Sequence, residues 1–468
     1  MTYILSQYTD LHQPMPVLNL QRFADAGTNV IRTTTQVNAY TGATGADSGM
    51  SSTMKVFYDT ELLENARDKH YFAQFGRRQP LPRGRGKVIE WRKWNTMPNA
   101  DILTEGVIPT GKTFGQTYIT SGIKQYGMYV TISDQLELHA VDDVIMGATE
   151  ELGASAGNTQ DIAIRNVLCE GTNVMYADTT GTDGKVTATP TSRYGLSGDN
   201  NKLTPDTVNK AVTALKKMKA PTINGKYIAL IHPSVTYDLR NSEYWIEAHK
   251  YARPEEMYNG EIGELHGVRF IETDTAPVFK GGNLAGSTAY LTLGAYSSSG
   301  SGSANKGEAT KYQATVTDSV TDALIGRWVH AYDASASACV GTAKIVGINS
   351  ASKYVFLSND IGLTYASGDL LYPGEGTLDS DKNVQAVYAT FFFGKDAYGI
   401  IDPDGAGMEM IIKSKEQAGG PLNQFSTVGY KFSGGTKILY EDRMLRVESC
   451  SSYSSSDSGN YGPLSYAT

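Results

Sequence analysis

The sequence predicts an α+β protein whose mixed helix and strand module is interrupted by a small β domain. Three observations carry that reading. A proline-free stretch from Asp142 to Glu170 keeps Val144, Ile145, Ala148, Leu152, Ile162 and Val167 on one stripe, which is a long helix. A second helix starts at Thr204-Pro205, with Val208, Ala211, Val212, Leu215 and Met218 at helical spacing. The strands YIALI (227–231), GVRFIET (267–273) and VYATFFF (387–393) surround a Ser/Gly linker and the short alternating runs GRWVHAYD, TAKIVGIN and KYVFLS.

Taken in order, residues 1–56 are rich in Thr, Gly, Asn and Ser and read as an arm that orders against something else. Residues 57–76 place Tyr58, Leu62, Leu63, Ala66 and Ala73 near a 3.6 period, with Gly76 as the stop. Over 77–132 the alternating KVIEWRKW and TYITSGIKQYGMYVTIS flank a Gly/Pro-punctuated stretch, which describes an extended hairpin. Such a hairpin buries little of itself, so a partner surface must stabilise it.

Residues 133–204 hold the Ser133 cap and the long helix. The small residues Gly147, Ala148, Gly153, Ala154, Ala156 and Gly157 are read as permitting close backbone approach. The mixed module spans 205–285 and resumes over 385–420, on either side of an inserted β domain at 286–384. Residues 421–450 comprise a helix-compatible PLNQFSTVGYKF and the strand TKILYEDRMLRVES, and 451–468 is a loose Ser/Tyr/Gly tail.

A chain of 468 residues exceeds one compact core, so several structural units are expected. The net charge of -8 argues against general duplex binding, which rests on neutralising phosphates with excess Lys and Arg. Cys169, Cys339 and Cys450 are far apart and odd in number, so neither a disulfide framework nor a zinc site is expected. No apolar run is long enough to cross a bilayer, and the first residues lack a secretory pattern. Synthesis in a reducing cytoplasm is the simplest reading.

Catalytic signatures are absent: there is no GxxxxGK[ST] loop, HExxH helix, CxxC pair or GxSxG elbow. Asp402-Pro403-Asp404-Gly405 resembles part of a calcium loop but lacks the third acid and the distal Glu, so a plain turn is favoured. His232 has no nucleophile in defined relation to it and reads as a helix-start residue. No enzyme activity, cofactor or metal is expected.

The most informative pattern is one of charge. Between Arg77 and Lys93 lie seven basic residues, Arg77, Arg78, Arg83, Arg85, Lys87, Arg92 and Lys93, against the single acid Glu90. From Gln125 to Ile164 there is no Lys or Arg, while Asp134, Glu137, Asp142, Asp143, Glu150, Glu151 and Asp161 are acidic. A basic hairpin and an acidic helix in one chain complement each other when copies pack side by side. Two solvated faces are the plainer reading, with each exposed pair contributing about 0–1 kcal/mol. Arg83, Arg85 and Lys87 with Trp91 and Trp94 also fit a nucleic-acid patch, which the net acidity opposes.

Several ordered segments carry a family resemblance: FYDTELLENARDKHYFAQFG (57–76), GKVIEWRKW (86–94), LTEGVIP (103–109), KQYGMYVTISDQLEL (124–138), IHPSVTYDLR (231–240), VYATFFFGKDAYGII (387–401) and PLNQFSTVGYKF (421–432). Together they resemble the major capsid proteins named for coliphage N-four and its gene-product-56 protein. The resemblance spans roughly 57–280 and 385–450; the arm and the insert are matched weakly or not at all.

What this implies is a Hong Kong 97 type subunit. Its parts would be an N-terminal arm (1–56) with its helix (57–76), an extended loop (77–132), and a peripheral domain with a spine helix at about 136–171 (133–204, completed by 421–450). The axial domain would be 205–285 with 385–420. It further implies a tailed-phage shell of hexamers and pentamers that encloses double-stranded DNA without reading its sequence. The shell would assemble in the bacterial cytoplasm with scaffolding, portal and decoration proteins, and no membrane. The loop of one subunit would lie over its neighbour's peripheral domain, putting Arg83, Arg85 and Arg92 near the neighbour's Asp142, Asp143, Glu150 and Glu151. The alternative is an encapsulin-like nanocompartment, which shares the fold and encloses enzymes.

Overall fold

The computed structural model describes residues 71–461 apart from 83, 85, 96, 104, 107, 109, 141–143, 182–184, 197, 250–262, 287, 301, 337, 364–367, 379–382, 404–407, 416 and 418–421. The expected arm (1–56), most of the expected helix at 57–76, and Arg83, Arg85, Asp142, Asp143, Asp404 and Gly405 lie outside the described residues.

The first half holds strands β1 (Arg77–Leu81), β2 (Val88–Trp94), β3 (Gln116–Gly122) and β4 (Lys124–Ser133), and helices α1 (Asp134–His139) and α2 (Val144–Cys169). Strand β5 (Val174–Tyr176), helix α3 (Pro205–Lys217), strand β6 (Tyr227–Ile231), helix α4 (Pro233–Arg240) and strand β7 (Val268–Glu272) follow. The insert supplies β8 (Leu291–Ser297), β9 (Gln313–Val316), β10 (Trp328–Asp333), β11 (Ala338–Asn349), β12 (Tyr354–Leu357) and β13 (Leu370–Pro373). The chain closes with β14 (Val387–Phe393), β15 (Tyr398–Pro403), β16 (Glu409–Lys413), β17 (Phe425–Ile438) and β18 (Met444–Ser449).

The central sheet has the order β5-β18-β14-β6-β7, extended by Glu264–Leu265 and, beside β14, by Val278–Phe279. Both of its faces are covered. Tyr227, Ala229, Ile231, Tyr388 and Phe392 pack against Val208, Ala211, Val212 and Leu215 of α3. On the opposite face Leu230, Phe391 and Phe393 meet Ile164 and Leu168 of α2. A strand covered on both sides has no polar face to show, which is why VYATFFF is apolar throughout apart from Thr390. The start of α3 follows its sequence signals: Thr204 accepts from the Thr207 amide and Pro205 occupies the first turn. His232 is the N-cap of α4 and accepts from the Ser234 amide through Nδ1, a structural role.

A second sheet runs β1-β15-β17-β16, with β4 paired along the other side of β17. Its helix-facing residues Val428, Tyr430 and Phe432 pack with Ile132, Leu152 and Ala156. Several expectations change here. The run from Thr117 to Ser133 breaks at Ile123, so β2 and β3 form the hairpin while β1 and β4 belong to this sheet. The long helix is preceded by a separate short one, α1. PLNQFSTVGYKF is not helical: Phe425 onward is strand, because Val428, Tyr430 and Phe432 alternate toward the helix. Residues 444–449, assigned with 421–450, and residues 398–413, assigned with 385–420, exchange places: β18 is in the central sheet, and β15 and β16 are in the second.

The small residues of α2 also act differently from expectation. A Cβ on Gly147 or Gly153 would meet nothing within 4 Å. The close approach is made by Ala156, and by Ser155 and Thr159, whose hydroxyls lie 3.4 and 3.3 Å from the Tyr430 Oη.

Six strands of the insert pair in the order β11-β10-β13-β8-β9-β12, β12 returns to β11, and the short strand Lys306–Gly307 adds to β11. All six pairings are antiparallel, so the strands form a closed barrel around Leu293, Val329, Ala343, Ile345, Val355 and Leu371. Closure removes free edges, and the barrel therefore needs no neighbour to complete its hydrogen bonding.

The tail at 451–468 is not loose over its described part. Asp457 accepts from the hydroxyls of Ser234 (2.9 Å) and Tyr388 (2.6 Å). Asn460 receives the Arg165 guanidinium on its carbonyl at 2.5 Å. Its side chain donates to the Ala276 carbonyl and accepts from the Val278 amide.

Candidate inter-subunit interface

The β2–β3 hairpin meets the body along its strands, where the Ser121 hydroxyl also donates to the Thr436 carbonyl at 3.4 Å. Trp91 lies over Gly399, whose Cβ position is 2.9 Å from the indole. The Lys93 ammonium sits 4.3 Å from the centre of the Tyr440 ring. Beyond the root, Trp94 stacks on Phe114 at 4.3 Å, and Lys112 pairs with Asp101 at 2.6 Å. The tip between these strands presents Ile102 at 98% exposure, Ile108 at 93% and Leu103 at 70%. Three large aliphatic side chains left in water forgo roughly 1.5–3 kcal/mol each of burial energy.

A second exposed apolar surface flanks α2. The helix covers the middle of the second sheet, while Met410 and Ile412 of β16, Met128 and Val130 of β4, and Met146 of α2 stay exposed. Between α2 and β16 runs a groove of about 800 Å³ lined by Glu137, Ile145, Met146, Thr149, Glu150 and Ile412.

The charges expected at an interface are distributed less simply than their spacing implied. Arg78 pairs with Asp402 of the same chain at 3.5 Å, and Arg92 with Glu90 at 3.3 Å. Both pairs are exposed. Arg77 and Lys87 are exposed, on β1 and just before β2. Of the acids, Glu150 and Glu151 are on the exposed face of α2, and Glu137 pairs with Lys415 at 3.2 Å. Asp161 is buried and structural, since it accepts from the Ala73 amide at 3.1 Å and the Thr275 hydroxyl at 3.3 Å. The tip itself carries Asp101, Glu105 and Lys112 beside exposed Ile102, Leu103 and Ile108, so it presents aliphatic side chains and no excess of basic ones. The signal for it was available in ILTEGVIP, whose four aliphatics, Ile102, Leu103, Val107 and Ile108, lie between turn residues where no core can form.

No group of three or more metal-ligating side chains occurs among the described residues, and none of their helices is long and apolar enough to cross a membrane. An ionic cluster is buried in the interior. Glu448, fully buried, accepts from Arg193 and from Arg446 at 3.0 Å, and Arg446 also donates to the carbonyls of Cys169 and of Gly171 (3.2 Å). Burial opposes ionisation of Glu448, but the two guanidiniums outweigh it and hold the carboxyl below its ordinary range. This cluster ties the end of α2 to β18 and to the turn at Arg193–Gly195.

Comparison with curated proteins gives no match. Among solved structures, the chain resembles the capsid of cyanophage P-SCSP1u, with 12% identity, 90% of this chain and 99% of that one covered, and a TM-score of 0.49. It also resembles the capsid of Helicobacter pylori bacteriophage KHP30 (10% identity, 87% and 100% covered, TM-score 0.49) and that of cyanophage Pam1 (13%, 87% and 100%, 0.48). A family model described as phage capsid protein matches residues 118–406, a span from the hairpin's second strand through the long helix, the central sheet and the barrel to β15. That match covers more than half of the sequence, and the chain belongs to the phage capsid protein family.

Proposed function

We propose that this protein is the major capsid subunit of a tailed bacteriophage, of the Hong Kong 97 type and the N-four lineage. It builds hexamers and pentamers of an icosahedral shell around double-stranded DNA and has no catalytic role. The family match supports the phage reading over an encapsulin-like compartment. Assembly takes place in the host cytoplasm with scaffolding, portal and decoration proteins, and the barrel decorates or stabilises the shell's outer surface.

The observation that carries self-assembly is the unsupported hairpin tip. Ile102, Leu103 and Ile108 have no core of their own, and the groove between α2 and β16 exposes Met146 and Ile412. Copies packed side by side put one chain's tip over the next chain's groove. The basic residues Arg77, Arg78, Arg83, Arg85, Lys87, Arg92 and Lys93, with Asp142, Asp143, Glu150 and Glu151 opposite, orient the contact more than they strengthen it.

The test is the double substitution Ile102→Asp with Ile108→Asp. Because both side chains are almost fully exposed, subunit stability stays unchanged, while negative-stain microscopy and sedimentation show unassembled subunits in place of shells. Normal yields of shells from this variant would refute the docking. Charge reversal at Arg83, Arg85 and Arg92 is expected to slow assembly, with partial rescue by reversing Asp142 and Glu150.

A further inference from the structure

We propose that the junction between the barrel and the central module is an acid-released seat, with His330 as the group that takes up the proton. The inference stands apart from the shell reading, since it concerns contacts within one chain.

The barrel joins the body through two adjacent limbs, 281–284 and 373–377. Arg327 of the barrel donates to the carbonyls of Gly282 (2.6 Å) and Asn283 (2.9 Å). On the body side, the turn Arg193–Gly195 and its successor Leu196 supply the platform. Arg193 donates to the Glu375 carbonyl at 3.3 Å, and the Thr377 hydroxyl donates to the Leu196 carbonyl at 2.5 Å.

His330 sits against this platform. It belongs to β10, is 7% exposed, and neither ring nitrogen makes a hydrogen bond of ordinary geometry. Its ring centre lies 5.5 Å from that of Tyr194 in the body and 5.3 Å from that of Tyr372 in β13. The charged and titratable groups around it are Arg193 from the body turn, Tyr194 beside it, and Tyr372 with its Cys339 partner from the barrel wall. In the outbound limb stands Glu375, whose carboxylate is 3.9 Å from Arg327. A proton on His330 would place a second cation beside Arg193 in a dry site, at the point where the limbs are held.

Burial first, and then Arg193, hold the ring neutral down to about 4, with the Gly374 backbone acting in the opposite sense. An unseated ring titrates near 6.5. The unseated state therefore binds the proton first, and its population grows as pH falls from about 6.5 to about 4. The limiting gain, from well above the first value to well below the second, is roughly 300-fold, of which about 80-fold falls between pH 6.5 and 4.

Hydrogen–deuterium exchange of the full-length chain from pH 7.5 to 4.5, corrected for intrinsic rates, tests this on peptides spanning 193–196, 281–285 and 373–378. The wild type is expected to lose protection there progressively below about pH 6.5, while β8 to β13 stay protected and His330→Phe shows no acid-dependent change. An acid profile shared by wild type and variant, or a flat wild-type profile, overturns the proposal. Should His330→Phe fail to accumulate, exchange of the histidine C2 hydrogen in the wild type decides. A midpoint below about 5.5 supports the seat, and one at or above it overturns it.

Discussion

Glu448 accepts both arms of the Arg193 guanidinium, at 2.7 and 2.6 Å, with no surface of its own exposed. Two-point recognition of a carboxylate by a planar fork is the strongest neutral-pH contact available to these groups. Here it also keeps Arg446 neutralised. Replacing Glu448 by Gln leaves two buried cations short of a counter-charge, and a loss of about 3–5 kcal/mol is expected. Thermal unfolding of the soluble subunit measures it. Since the folded carboxyl titrates below its ordinary range, its stabilisation is present at neutral pH and disappears only as pH falls through that depressed value. The gap in melting temperature between wild type and Glu448→Gln should hold through mild acid and close only in strong acid.

Asn460 anchors the C-terminal segment by its side chain. Asn460→Ala strips the Val278 amide and the Ala276 carbonyl of their partners, and each polar group so stranded costs about 1–3 kcal/mol. Faster amide exchange at 276–279, with unchanged exchange in the barrel, is the expected signature.

Gly399 is where the hairpin root meets the body. A valine there would overlap the Trp91 ring, which already stands 2.9 Å from an added Cβ, so the root must lift. Overpacking of this kind costs about 1–3 kcal/mol. A red shift in tryptophan emission and loss of protection over 88–94 would mark it, and unaltered emission would show that the indole is not seated as described.

The Arg78–Asp402 pair provides the contrast. Both side chains are largely exposed, and Arg78→Ala should change subunit stability by less than about 1 kcal/mol. An effect on shell yield without one on unfolding would locate the role of Arg78 between subunits.

Much of the fold was legible because it obeys local rules. Thr204-Pro205 starts a helix wherever it lies, and an all-apolar VYATFFF reads as a strand covered on both faces. What escaped depends on partners distant in sequence. Nothing local tells that β12, after its hairpin with β11, also pairs with β9 and closes a barrel, or that β18 leaves its neighbour β17 to join β14. The helix-compatible reading of 421–432 failed because Val428, Tyr430 and Phe432 fit either period until α2 is known to lie above them. The site was legible in position but not in chemistry: charge counting drew attention to the arginines, whereas the exposed aliphatics of the tip offer the larger burial.

The position of β18 has a bearing on synthesis. It lies between β5 and β14, so the middle of the central sheet stays open until residues 444–449 leave the ribosome, and the strap ending at Asn460 follows still later. A chain ended before residue 444 leaves β5 and one edge of β14 unpaired, and takes Met444 and Arg446 away from the end of α2. Closure of the central sheet thereby waits until translation has passed residue 449.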